Sequence, residues 1–74
     1  MAVSPAVESR LTDRQRRMMM VLAQGETLTS KICQERFNVS APMIAADFQK
    51  LMEEGLIERI GAGRATRYVL SSRS

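Results

Sequence analysis

The apolar residues of this chain change period at a single glycine. In residues 40–70, SAPMIAADFQKLMEEGLIERIGAGRATRYVL, those before Gly55 recur at helical spacing, and those after it fall into two extended runs. Ile44, Phe48, Leu51 and Met52 follow one another at intervals of four, three and one, which makes them one inward-facing stripe of a helix. Ala41, Ala45, Ala46, Gln49 and Glu53 fall on the opposite side. Ser40 is the expected N-cap, and Pro42 stands in the first turn, where its missing N–H costs nothing. Gly55 stops the helix. The runs that follow read as two strands around Gly61 and Gly63, whose backbone freedom suits a turn, with Arg64 and Arg67 projecting from the tip and the return strand.

Upstream, LTDRQRRMMMVLAQG opens with Thr12 and Gln15, a capping-box spacing in which each side chain satisfies the other's backbone N–H. Leu11, Met18, Met19 and Leu22 can share its buried face, with Arg14 and Arg17 toward solvent; Met20 is expected in the core with its neighbours. After Gly25, Thr27 and Leu28 form a short extended piece. Thr29 then caps a second helix, in which Cys33 and Phe37, four apart, stack on one face. Asn38 supplies a left-handed turn residue before Ser40. The expected order is helix, short strand, helix, helix, strand, strand, which is an α+β fold, mainly α.

Seventy-four residues allow one domain, because a chain this short hides only about 60% of its unfolded surface. The expected limits are a flexible N-terminal arm over 1–10, the folded domain over 11–71 and a frayed end over 72–74. Phe37, Phe48 and Tyr68 are the only aromatic residues, so the core is aliphatic and methionine-rich. Cys33 is the single cysteine and can form no internal disulfide, which fits a reducing, cytoplasmic setting and a structural role. The apolar run after RQRR is far too short for a membrane span, so no membrane is expected as a partner.

Charge is unevenly placed. Residues 10–17 carry +3 and residues 59–73 carry +4, whereas the residues between them carry −3; with Glu8 the net charge is +3. Positive charge therefore flanks the third helix rather than lying on it, and suggests a polyanionic partner. Glu53, Glu54 and Glu58 read as a solvated acidic patch rather than a cation site. There is no histidine, no nucleophile elbow, and the Gly61-x-Gly63 pair precedes a strand rather than a helix, so catalysis is not expected and neither cofactor nor metal is implied.

LTSKICQERFNVS followed by IAADFQKLMEEGLIERIGAGRATRY resembles the winged helix-turn-helix domains of DeoR-like bacterial regulators and those appended to Fic-type proteins, over roughly residues 11–70. The resemblance implies three helices plus a small antiparallel hairpin wing. It implies a bacterial or phage transcriptional regulator that binds double-stranded DNA, with the third helix in the major groove and the wing on the backbone or minor groove. A homodimer is expected, because one module of this size buries only about 600–1,000 Å² on DNA. The residues it implicates are Arg14 and Arg17 on the first helix, Ser40, Ala41, Met43, Ala45, Ala46, Gln49 and Lys50 on the third, and Arg64 and Arg67 on the wing.

Two departures from the family pattern stand out. Met43, Ala45 and Ala46 occupy positions where threonine and two basic or polar residues are usual, while Ile44, Asp47, Phe48 and Leu51 match. Gln34 replaces a small residue and predicts a looser crossing of the second and third helices. The alanine face then reads thymine methyl groups with Gln49 on adenine, or it is a surface for a protein partner. Asp47 is expected to pair with a basic group or to fix helix packing rather than to read a base.

Overall fold

The computed structural model describes residues 10–71 other than the side chain of Arg64. The expected arm, apart from Arg10, and the expected frayed end lie outside the described residues. Three helices, α1 (Asp13–Ala23), α2 (Ser30–Phe37) and α3 (Ala41–Glu53), are followed by a hairpin of β1 (Ile57–Ile60) and β2 (Arg67–Leu70). This is the mainly helical α+β layout expected, and it is compatible with a winged-helix arrangement.

The local signals act as their chemistry dictates. Thr12 caps α1 through its Oγ1, which accepts from the Gln15 N–H at 3.1 Å, and the Gln15 side-chain Oε1 accepts from the Thr12 N–H at 3.0 Å. Thr29 Oγ1 accepts from the Ile32 N–H and starts α2, and Asn38 ends it at φ 54°, ψ 51°. Ser40 departs from expectation. It has the extended backbone of an N-cap, but its side chain makes no capping bond, and the helix begins on the Ser40 carbonyl, which accepts from Ile44. With the first turn held by that backbone bond and preset by Pro42, α3 forms without a side-chain cap.

Leu11, Met18, Met19, Leu22, Leu28, Cys33, Ile44, Phe48, Leu51, Leu56 and Ile57 make one continuous core. Met52 and Phe37 pack partly buried against it. Met20 does not join them and is 63% exposed. Successive residues on a helix lie 100° apart, so three consecutive methionines cannot all face one core. Burial pushes the Cys33 thiol pKa up to about 11, with nearby Arg36 opposing and Asp47 adding to the shift.

The hairpin is tied down at its base. Leu28 bridges Tyr68 by two backbone hydrogen bonds, Leu28 N–H to Tyr68 O at 3.0 Å and Tyr68 N–H to Leu28 O at 2.7 Å. The expected short strand is thus a single bridging residue. The Tyr68 ring stacks on Phe48 of α3, with centroids 3.7 Å apart and planes 11° from parallel. The strands pair antiparallel, Ile57 opposite Leu70 and Arg59 opposite Tyr68. Beyond Ile60 the chain passes through one 3-10 turn, Gly63–Ala65, before returning.

Candidate nucleic-acid interface

On a helical wheel Asp47 and Phe48 lie on opposite flanks of the Ile44/Leu51 stripe of α3. Phe48 meets Tyr68 of the hairpin and Asp47 meets Arg14 of α1, so hairpin and α1 sit along the two edges of α3. The face between those edges is open. Ala41, Pro42, Met43, Ala45, Ala46, Gln49 and Glu53 are all exposed, Met43 at 46%.

Polar groups on that face are partly committed. The Gln49 amide nitrogen donates to Glu53 Oε2 at 3.1 Å, one turn on. Lys50 pairs with Glu54 at 3.1 Å, and Glu54 also holds Arg10 at 3.1 Å. The Glu54 side chain is only 16% exposed, so it is not part of a solvated acidic patch. The first two turns of the face therefore carry no charge: Ser40 offers an exposed hydroxyl, and the rest is alanine, proline and methionine.

The arginines of α1 divide sharply. Asp47 is 3% exposed and would be costly to bury unpaired. It accepts from Arg14 Nε, from Arg14 Nη2 at 3.2 Å and from Gln15 Nε2 at 2.9 Å. Arg14, expected to face solvent and hold phosphate, is instead drawn down onto a buried carboxylate, and that hydrogen bond raises its already high pKa. Asp47 pairs with a basic group, as its sequence position suggested. Arg16 binds Asp13 and donates to the Leu11 carbonyl at 2.8 Å. Arg17 remains exposed and makes no ion pair among the described residues.

On the hairpin Arg67 is exposed and Arg59 is exposed opposite Tyr68; neither makes an ion pair among the described residues. Residues directly opposite in an antiparallel pair share a face of the sheet, so Arg59 lies on the same face as Tyr68, the one turned toward α3, and Arg67 on the other. Arg59 was absent from the expected site. Its alternation with Ile57 along the strand was the available signal, but only the Tyr68 stack tells which face meets α3. The backbone of Arg64 lies in the exposed tip turn.

Gly61 is required there. At φ 84° a side chain would be strained, and an added Cβ would stand 2.4 Å from the Ala65 carbonyl oxygen. The tip is thus a tight, specific turn rather than a slack loop. Among the described residues no group of acidic or thiol side chains is arranged to hold a metal ion, and no helix is long and apolar enough to cross a membrane. No protein-family model, curated protein or solved structure matches the chain.

Proposed function

We propose that this chain is the double-stranded-DNA-binding module of a transcriptional regulator of winged-helix type, with α3 in the major groove and arginines on the flanking backbone. One observation carries the reading. The exposed face of α3, uncharged over its first two turns, lies between two elements that carry arginines without ion-pair partners among the described residues, Arg17 on one side and Arg59 and Arg67 on the other. Phosphate contacts position a protein on DNA and base-edge contacts specify the sequence. Here the phosphate-binding groups are supplied from the flanks, and the helix itself offers methyl and thioether surface to base edges.

Such a surface has one natural partner among base edges, the thymine C5-methyl group. Duplexes in which deoxyuridine replaces thymine therefore bind more weakly, by about fourfold per contacted methyl if each is worth about 0.8 kcal/mol. The primary test is an amide NMR titration with duplex DNA at low salt and near 0.15 M. Shifts concentrated at residues 41–50 and 59–67 that weaken with salt are the expected result. Absence of any shift at low salt removes the DNA reading.

The exposure of Met43 beside Pro42, Ala45 and Ala46 favours a second reading, a protein-interaction module using that face. Ala45→Glu separates the two. It abolishes partner capture on a protein surface, whereas on DNA it adds a repulsive charge that weakens duplex binding and leaves no protein partner affected.

A further inference from the structure

An open groove of about 520 Å³ lies between the start of α1 and the end of α2, lined by Thr12, Asp13, Arg14, Arg17, Arg36 and Phe37. Three of these six side chains are cationic and one is acidic. The acid, Asp13, is engaged by Arg16, and Arg14 is engaged by Asp47. Arg17 has no ion pair among the described residues. Among the described residues Arg36 pairs with Glu26 alone, at 3.7 Å, and both of those side chains are close to half exposed, 42% and 49%. The groove thus gathers two guanidinium groups whose charge is not neutralised from within it, beside the half-buried ring of Phe37.

Its position matters as much as its charge. Arg14 lines the groove, and its guanidinium rests on Asp47 of α3, one helical turn from Met43 on one side and Lys50 on the other. The groove therefore opens beside the edge of α3 that is opposite the hairpin. A major groove about 12 Å wide that receives a helix brings a phosphate strand along each edge of it. The hairpin arginines serve one strand.

We infer that the α1/α2 groove receives a backbone phosphate of the other strand, clamped between Arg17 and Arg36, while Asp47 withholds Arg14 from that contact. The inference rests on the DNA reading of α3. Arg36 gives up its long contact with Glu26 and gains a charge-assisted, forked contact with phosphate, which suits guanidinium geometry.

The test is the salt dependence of duplex affinity, followed by fluorescence anisotropy for the wild type and for Arg17→Gln, Arg36→Gln and the double variant. Each phosphate neutralised contributes about 0.9 to the slope of log K against log salt. Because one phosphate is shared, each single variant lowers the slope by up to about 0.9, and the double variant lowers it by about 0.9 in all rather than twice that. Arg17→Lys and Arg36→Lys, which keep the charge, retain the wild-type slope. A global loss of folding would instead abolish the thermal transition and would lower affinity in the lysine variants too.

If the wild type binds the duplex and the glutamine variants keep its slope, the groove assignment is overturned while the DNA reading stands. A wild type that binds no duplex at low salt removes both. A third arm uses inorganic phosphate alone. If it shifts the Arg17 and Arg36 side-chain signals at concentrations where duplex does not, the groove takes a free phosphate and the backbone assignment fails.

Discussion

The seam between α1 and α3 and the strands of the hairpin both carry arginine, and they place it in opposite ways. In the seam, Thr12, Gln15, Arg14 and Asp47 form a closed set in which each side chain has a partner and the acceptor at its centre is buried. At the tip, the hydrogen bonds are backbone turns, Ala65 N–H to Ala62 O at 3.1 Å and Thr66 N–H to Gly63 O at 3.2 Å, and Arg59 and Arg67 on the strands that lead to it are exposed. Charge in the seam orients α3 and is withheld from any ligand. On the hairpin strands Arg59 and Arg67 make no ion pair among the described residues.

The largest effect comes from the residue that joins the two regions. Phe48→Ala removes both the centre of the core and the platform for Tyr68, and is expected to cost about 3–5 kcal/mol. Thermal melting reads this as a drop of roughly 4–8 °C per kcal/mol in a domain of this size. A loss confined to the hairpin, with α3 still protected in hydrogen exchange, would break the picture of one continuous core.

Asp47→Ala comes next. It strands the Gln15 amide and the Arg14 guanidinium, and costs about 2–3 kcal/mol, less than a fully buried pair because the Arg14 side chain is 26% open to solvent. The replacement also frees Arg14, so any residual folded protein gains salt-dependent duplex affinity as stability falls. A variant that loses stability and affinity in proportion would show that the seam does not hold Arg14 back.

Gly61→Ala tests the tip alone. The clash with the Ala65 carbonyl and the positive φ together cost about 1–3 kcal/mol or force the turn to rearrange, which the amide signals of residues 61–66 report. Gly63→Ala meets no atom within 4 Å and carries only the penalty of φ 56°, about 1–2 kcal/mol. Both lower duplex affinity more than they disturb the seam.

The last effect is a pH response on the core side, which is silent at neutral pH. Folding holds the Cys33 thiol protonated up to about 11, against an ordinary value of 9.0. Between these values the unfolded chain loses its proton and the folded chain does not, so stability declines as pH rises through that window and is unaffected below it. Cys33→Ala removes this contribution to the alkaline slope in urea titrations. An unchanged slope would place the alkaline loss elsewhere.

Much of the fold was legible because its signals are local. The Thr12/Gln15 box, the Thr29 cap, the left-handed Asn38 and the change of period at Gly55 each depend on residues within a few positions of one another. The exposed face of α3 was legible for the same reason, from the spacing of Ile44, Phe48 and Leu51. Residue type alone predicts a cap bond at Ser40, and type does not set the rotamer. The methionines beside it suggest the core for Met20, although its own angle on the helix points away.

By itself, then, the sequence determined which segments are helix and which are hairpin, where each begins and ends, and which side of each helix is apolar. Those outcomes follow from backbone preferences and side-chain spacing over a turn or two. Which arginines are free was decided only by tertiary structure. Arg14 and Asp47 are 33 residues apart in the chain, and Arg17 and Arg36 line one groove only because the fold brings the start of α1 beside the end of α2. A long cationic side chain can reach solvent or a buried carboxylate from the same helix position, and burial of the acid, a property of the packed fold, makes that choice.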